Sequence, residues 1–130
     1  MHVAAGLICS EGRILIARRP EGSHLAGLWE FPGGKQEPNE TLEECLEREI
    51  REELGMIIKA GKCIMTVLHE YELKKISLHI FDCLSDPGNP KALECQEIQW
   101  VKPVELNSYQ FPPPDQKFLE FLVDHPDLLA

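Results

Sequence analysis

Apolar residues dominate two runs near the start of the chain, residues 3–9 and 14–18. The link between them, Ser10-Glu11-Gly12-Arg13, is short and contains glycine. A connection of this kind between two β-prone runs is typical of a hairpin, so the pattern predicts two antiparallel strands.

Three later runs are also rich in β-prone apolar residues: 56–69, 75–84 and 98–101. Apolar and polar positions alternate within the second run, over residues 76–80, which indicates a strand with one buried face. The segment 86–90 contains two prolines and a glycine and predicts a turn or loop. We therefore expect three further strands.

Helical signals are strongest over residues 42–54. Thr41 and Glu44 have the spacing of a capping box, in which each side chain satisfies a free backbone donor of the first turn. Strong helix formers follow, and Gly55 stands at the predicted C-terminal end.

A second helix is predicted over residues 115–125, after the extended, proline-rich segment 111–114. Residues 19–40 fit neither periodicity, because four glycines and three prolines interrupt them. We expect a long, ordered loop there, and such loops are often functional. The order of elements predicts one α/β domain, residues 1–130, with a mixed sheet.

The net negative charge of the chain limits the ligands that it is expected to bind. The chain has 13 basic and 22 acidic residues, a formal net charge of −9. Long DNA or RNA is not expected as a ligand, because nucleic-acid surfaces need clustered Lys and Arg. A small polyanion can bind only where metal cations overcome the repulsion from carboxylates.

The remaining composition is that of an ordinary globular protein, with 43% hydrophobic residues. No run approaches the roughly 20 apolar residues that cross a bilayer, and residues 1–9 lack the features of a signal peptide. We expect a cytoplasmic protein that does not bind membranes. Five scattered cysteines without CxxC spacing indicate mostly buried, reduced thiols.

The first predicted helix carries carboxylates on the side that should be apolar. At about 100° per residue, this side contains Cys45, Leu46, Ile50 and Leu54. Glu49 and Glu53 lie within it and Glu52 lies at its border. The far side holds Glu44, Glu47 and Arg51. Adjacent buried carboxylates need a cation, and this spacing suits hard, oxygen-preferring Mg²⁺ or Mn²⁺.

A charged surface helix is the alternative, with Arg48 and Arg51 as ion-pair partners. The surrounding sequence bears on this choice. It reads Gly34, five residues, Glu40, seven residues, Arg48-Glu49-Ile50, one residue, Glu52-Glu53, one residue, Gly55-Met56. This pattern resembles a complete Nudix box, with Met56 where the family more often has Ile, Leu or Val.

The resemblance implies an α/β/α sandwich and a hydrolase of phosphoanhydride bonds. It implies that divalent metal, Mg²⁺ with Mn²⁺ as a substitute, is bound by Glu49, Glu52, Glu53 and the carbonyl group of Gly34. It further implies that Arg48 orients one of these carboxylates, and that Glu40 pairs with Arg48. Bound metal would neutralise phosphate oxygens and acidify an attacking water.

Outside the box, the segment from Arg18 to Lys35 is similar to the MutT branch of the family. That similarity places Arg19 and His24 against the nucleotide and Lys35 near its phosphates. The segment 94–100 also resembles MutT, in which a glutamate six residues before a tryptophan serves the metal site and acts as general base. Glu94 matches this position, with Glu97 as the alternative.

Asp115 falls where MutT-like enzymes that prefer 8-oxo-guanine carry asparagine. An ionised aspartate only accepts hydrogen bonds, and both guanine and cytosine offer donors to it. It could also serve as the N-cap of the last helix. The leading hypothesis is therefore hydrolysis of 8-oxo-dGTP to nucleoside monophosphate and pyrophosphate, with (d)CTP or a modified cytosine nucleotide second.

Two further hypotheses remain at this stage. One is another Nudix substrate, such as a nucleotide sugar or a dinucleoside polyphosphate. The other is a catalytically inactive Nudix-like module that only binds a nucleotide or a protein. The expected partner is a small nucleoside triphosphate, and a monomer and a homodimer fit the sequence equally.

Overall fold

The computed structural model describes residues 1–85 and 89–129. Its strands, in chain order, are β1 His2–Leu7, β2 Cys9–Ser10, β3 Arg13–Arg18, β4 Trp29–Glu30, β5 Gly33–Lys35, β6 Ile58–Tyr71, β7 Lys74–Ser85 and β8 Ile98–Val101. Its α-helices are α1 Leu42–Leu54 and α2 Pro113–Val123, and short 3₁₀ helices span Pro103–Ser108 and Pro126–Leu129. Most of the predicted loop over residues 86–90 lies outside the described residues.

The strands form two four-stranded sheets. The first has the order β5-β1-β7-β6, in which β1 and β7 are parallel and the other pairs are antiparallel. In the second sheet, β3 pairs antiparallel with β2, β4 and β8. The predicted α/β class with a mixed sheet is confirmed.

Helices cover the sheets through two hydrophobic clusters. Cys45, Leu46, Ile50 and Leu54 of α1 are completely buried against β1, β5 and β6. The second cluster joins both sheets to Phe118 and Leu122 of α2. Packing of apolar faces from several elements supplies the main favourable free energy of such a fold.

Helix α1 begins and ends as its sequence predicts. Thr41 accepts from the amide of Glu44 at 3.1 Å, and Glu44 accepts from the amide of Thr41 at 2.8 Å. Gly55 ends the helix at φ 63°, a left-handed conformation that costs glycine little. Glu47, which the helical wheel places on the side away from the apolar residues, reaches β6 and accepts from the amide of Ala60 at 3.0 Å.

Two differences from the sequence prediction concern the shorter strands. The first apolar run is divided at Ile8, so that β1 belongs to one sheet and β2 to the other. The predicted loop over residues 19–40 contains β4 and β5, which are short strands stabilised by partners distant in the sequence.

None of the cysteines in the described residues forms a disulfide. Burial raises the pKa of the Cys45 thiol to about 11 and that of Cys83 to about 12, which disfavours nucleophilic thiolates. Cys63 is exposed. No helix within residues 1–85 and 89–129 has the length and apolar character that a bilayer-crossing helix requires.

Candidate active site

Arg48 joins helix α1 to the loop that precedes it. Its Nε and Nη2 donate to the two oxygens of Glu40 at 3.0 and 2.8 Å, which makes the pair bidentate. Its Nη1 donates to Glu49 at 2.9 Å and to Glu52 at 3.2 Å. Its Nη2 also donates to the carbonyl oxygen of Lys35 at 3.2 Å. Arg48 thereby fixes two carboxylates of the helix relative to β5.

The pair between Arg48 and Glu40 keeps its charges over the whole neutral range. Hydrogen bonds from Arg48 lower the pKa of Glu40 to about 2, and the same bonds raise the pKa of Arg48. Charge-assisted, bidentate pairs of this kind are geometrically specific. The guanidinium group therefore has a fixed orientation at the edge of the site.

Glu53 lies in a different environment on the same helix. Burial raises its pKa to about 9, and the charges of Glu30, Glu49 and Glu94 add to the effect. Burial also raises the pKa of Glu49, although Arg48 opposes this change. Several carboxylates thus lie close together with too little positive charge to balance them.

Glu94 is held beside this cluster by the backbone. The amide of Leu93 donates to the carbonyl oxygen of Glu53 at 2.9 Å, which anchors the segment before β8 to the end of α1. Glu97, the alternative residue, instead pairs with Arg18 at 3.1 Å. The geometry therefore favours Glu94 over Glu97 as the additional carboxylate.

Gly34 provides the space that the carboxylates need. A Cβ atom at this position would overlap the carboxyl group of Glu49, so a side chain here would displace that carboxylate. The carbonyl oxygen of Gly34 faces the helix and accepts a weak hydrogen bond from Sγ of Cys45 at 3.5 Å.

A cavity of about 630 Å³ opens beside Gly34 and Glu53. Its wall contains every residue that the sequence assigned to the substrate: Arg19, His24, Lys35 and Asp115. Residues of β1, β5, β7, the β6–β7 turn and the start of α2 complete it. Arg48, Glu49, Glu52 and Glu94 lie outside this wall, around the carboxylate cluster.

Arg19 is already paired within the cavity wall. Its Nη1 donates to Glu30 at 2.5 Å, and its Nε donates to the carbonyl oxygen of His24 at 2.7 Å. Burial raises the pKa of Glu30, while the charge and hydrogen bond of Arg19 oppose the shift. The pair places one positive and one negative group between the carboxylate cluster and the rest of the cavity.

Asp115 also belongs to the cavity wall, near Glu30 and Arg19, and is only 7% exposed. Its Oδ2 accepts from the backbone amide of Phe31 at 3.3 Å, and burial raises its pKa to about 7. The suggestion that Asp115 caps the last helix is wrong. The N-cap is Pro112, because the prolines that follow fit the first turn and start the helix earlier.

Glu30 and Tyr71 are among the wall residues that were not predicted from the sequence. Glu30 stands between Trp29 and Phe31, and a carboxylate flanked by large apolar residues was a signal for burial. Tyr71 ends β6 and makes an edge contact with His24, the ring centroids being 5.4 Å apart. Its role depends on the path of the β6–β7 hairpin, for which the sequence had no local signal.

The fit of a divalent metal depends on these carboxylates. Within residues 1–85 and 89–129, no three His, Cys, Asp or Glu side chains already converge as metal ligands do. Arg48 engages two of the glutamates, and the pKa of Glu53, about 9, favours its neutral form near pH 7. The donors are nevertheless hard oxygens short of positive charge, beside the space left by Gly34, which fits Mg²⁺ or Mn²⁺ in chemistry.

The chain is similar to known proteins over most of its length. The family model of the NUDIX domain matches residues 3–121. The chain is 39% identical to the CTP pyrophosphohydrolase of Escherichia coli (strain K12), over 92% of this chain and 89% of that protein. It is 37% identical to the 8-oxo-dGTP diphosphatase of Haemophilus influenzae, over 95% of this chain and 92% of that protein.

Solved structures of related proteins have the same fold. The crystal structure of the MutT protein from Methanosarcina mazei Go1 superposes with a TM-score of 0.87 at 32% identity, covering 97% of this chain and 94% of that chain. The solution structure of the E. coli ORF135 protein has a TM-score of 0.83 at 39% identity, covering 94% and 88%. The expected sandwich fold is confirmed.

Proposed function

This chain belongs to the NUDIX hydrolase family, and we propose that it cleaves a nucleoside triphosphate into a nucleoside monophosphate and pyrophosphate. Membership makes it a hydrolase of phosphoanhydride bonds. The observation that carries the proposal is the position of Glu53, which borders the 630 Å³ cavity and is coupled to the other carboxylates of α1. Groups suited to phosphates and groups suited to a base thus border one space.

A divalent cation would be held by Glu49, Glu52, Glu53, Glu94 and the carbonyl oxygen of Gly34. We take Mg²⁺ as the cofactor, with Mn²⁺ as a substitute, because hard cations prefer these oxygen ligands. When bound, the cation supplies positive charge to phosphate oxygens and makes a water more acidic. The raised pKa of Glu53 fits this role, since a carboxylate without a counter-charge gains most from a cation.

The protein's own groups have separate roles in this proposal. Arg48 holds Glu49 and Glu52 in position, and Glu40 holds Arg48. Glu94 accepts the proton of the attacking water as general base, because it lies beside Glu53 and, within residues 1–85 and 89–129, has no arginine partner of the kind that Glu97 has.

The substrate lies across the cavity wall. Arg19 and Lys35 attract its phosphates, and His24 packs against the nucleotide. Asp115 lines the same wall and accepts a hydrogen bond from the amide of Phe31. Its carboxyl group can also meet the polar edge of a nucleobase.

We propose 8-oxo-dGTP as the main substrate and (d)CTP, or a modified cytosine nucleotide, as the second candidate. The named relatives include enzymes of both kinds. Asp115 favours neither base by charge alone, since both guanine and cytosine present N–H donors. Sanitation of the nucleotide pool is the role that follows from the first substrate.

A substrate panel tests this assignment. We expect kcat/KM to be highest for 8-oxo-dGTP or for a cytosine nucleotide among triphosphates assayed with Mg²⁺, with dATP, dTTP and a nucleotide sugar as controls. Equal kcat/KM across the panel would refute both candidates. Hydrolysis in ¹⁸O-labelled water then locates the attacked phosphorus, because the label enters either the monophosphate or the pyrophosphate.

Three predictions from the sequence stay predictions: the oligomeric state, the cellular location and the number of domains. The small-molecule partner follows from the family, but a monomer and a homodimer are equally compatible with the fold. The cytoplasmic location and a single domain over residues 1–130 are likewise predictions. Size-exclusion chromatography with light scattering measures the oligomeric state directly.

A further inference from the structure

His2 and His79 form a pair of imidazoles outside the cavity wall described above. Nδ1 of His2 and Nε2 of His79 are 3.0 Å apart, and the rings are stacked with their centroids 5.2 Å apart at 26°. Two ring nitrogens at this distance share one proton, because one must donate and the other accept.

The strands hold both histidines on one face of the sheet. Strands β1 and β7 are parallel there, and Ala4 is paired with His79 while His2 lies two residues before Ala4. Residues two apart on a strand point to the same side. Ala4 carries only a methyl group, which leaves the ring of His2 free to meet His79.

The backbone of His2 is fixed although it lies near the start of the chain. Its carbonyl oxygen accepts from the amide of Gln36 at 2.9 Å, and the carbonyl oxygen of Met1 accepts from the amide of Ser77 at 2.9 Å. Hydrogen bonds to both neighbouring strands therefore set the position of this residue before any ligand binds.

Thr66 on β6 orients the second imidazole. Its Oγ1 lies 3.0 Å from Nδ1 of His79, so the hydroxyl oxygen can accept the Nδ1 proton. The Nε2 lone pair of His79 then points at His2. A hydrogen bond on the outer nitrogen that fixes the ring and its tautomer is the arrangement found around metal-binding histidines.

We propose that His2 and His79 form a second metal site, which binds a transition-metal dication such as Zn²⁺ in place of the shared proton. Nitrogens that bind one cation at about 2.0–2.1 Å lie roughly 2.9–3.4 Å apart in square-planar or tetrahedral geometry. The observed 3.0 Å falls within this range, so that turning the two rings, without movement of either strand, directs both nitrogens at one cation beside the line that joins them. Water would complete the coordination.

The ligand class separates this site from the carboxylate cluster. Imidazole nitrogens suit Zn²⁺, Cu²⁺ and Ni²⁺, whereas Mg²⁺ prefers oxygen ligands. Neither histidine belongs to the cavity wall, and both come from strands rather than from α1. The proposal is therefore independent of the proposed hydrolysis.

Calorimetric titration of untagged protein with Zn²⁺ tests the site. We expect the wild type to bind one equivalent more than His2→Gln or His79→Gln. His125→Gln is the matched control, since His125 is an exposed histidine far along the chain, and it should keep the wild-type number of equivalents. All four proteins retain the carboxylates of α1, so that any binding there cancels.

Two further measurements distinguish a built site from surface binding. Ni²⁺ should broaden the ring NMR signals of His2 and His79 and leave those of His125 sharp. Thr66→Val should weaken Zn²⁺ binding about tenfold, as loss of an outer hydrogen bond does. Equal equivalents for His79→Gln and the wild type, or unaffected His2 and His79 signals in folded protein, would overturn the proposal.

Discussion

Glu53 combines two properties that oppose each other in protein without metal. It borders the cavity, yet burial and neighbouring carboxylates raise its pKa to about 9, so that its ionised form destabilises the fold. A glutamate in this state is tolerated where a cation compensates for it. The carboxyl group of Glu53 therefore lowers the stability of the metal-free protein and provides a ligand for a cation.

Replacing Glu53 with glutamine separates these properties. We expect kcat to fall at least roughly a hundredfold, as with the loss of one strong electrostatic contact to the reacting groups. In EDTA near pH 8 the variant should melt at a higher temperature than the wild type, because glutamine has no charge to bury. Steady-state kinetics and thermal melts measure the two effects.

Glu43→Gln is the control on the same helix. Glu43 is exposed and lies one turn or more before the cluster, so the variant should keep both kcat and melting temperature. Unchanged turnover in Glu53→Gln would refute its assignment as a metal-binding residue.

Asp115 is the residue at which base preference can be altered. Asparagine both donates and accepts, so Asp115→Asn should raise the ratio of kcat/KM for 8-oxo-dGTP to that for dCTP by about tenfold, the order expected when a buried hydrogen bond changes. The two substrates assayed side by side give this ratio without correction for the amount of active enzyme.

The pH dependence of that ratio is a second check. The pKa of Asp115 is raised to about 7, so below pH 7 the neutral carboxyl group can donate as well as accept. The ratio for the wild type should therefore approach that of Asp115→Asn as pH falls through 7, while the variant shows no such change. Parallel pH profiles of the two proteins would contradict this role.

Helix α1 belongs to the core and to the site at the same time. One side carries four completely buried apolar residues, and the neighbouring positions carry the carboxylates. Because the side chains share one rigid element, their spacing is set by the helix itself rather than by loops. A change that weakens one end of α1 should therefore lower the stability of the fold while leaving the spacing of the carboxylates, and so kcat, nearly unchanged.

Removing the helix cap tests this order of effects. Thr41→Ala removes the hydroxyl that accepts from Glu44, and we expect the free energy of unfolding to fall by about 1 kcal/mol. The value of kcat at 25 °C should stay within twofold of the wild type. Thr41→Ser keeps the hydroxyl and should retain the stability in chemical denaturation.

Local signals explain which elements were predictable. The capping box and Gly55 are signals local in sequence, and they determine where α1 begins and ends, so both ends of the helix were predicted. The break at Ile8 and the short strands β4 and β5 depend on partners far along the sequence, which no local pattern encodes.

The site follows the same rule. Glu49, Glu52 and Glu53 share one helix, and their spacing alone places them together. Tyr71 reaches the cavity only through the path of a hairpin, and Glu30 through a strand of two residues. The place of Tyr71 and Glu30 in the cavity wall could therefore be found only from the tertiary structure.

At the scale of the whole molecule, the raised pKa of Glu53 makes metal binding and stability interdependent. In EDTA the melting temperature should fall as pH rises from about 5 to 9, since the pKa of Glu53 is 4.5 as an unperturbed group and about 9 in the fold. Mg²⁺ should reverse this loss, and more strongly at pH 8 than at pH 5.5, because it binds the ionised form.

Glu53→Gln provides the comparison for this prediction. The variant should show a shallower decrease with pH and a smaller gain from Mg²⁺ than the wild type. Differential scanning fluorimetry across a pH series records both proteins under identical conditions. An equal response to Mg²⁺ in the two proteins would show that the cation stabilises the fold elsewhere.

The walls of the cavity come from separate parts of the chain: Asp115 from α2, Arg19 and His24 from the loop, Tyr71 from a hairpin, and Glu53 from α1. The residues proposed to contact the base, such as Asp115, can therefore be replaced without changing the residues of α1 proposed to cleave the phosphoanhydride bond. Libraries that vary Asp115 and Tyr71 over an unchanged α1 should yield enzymes of new selectivity and preserved turnover.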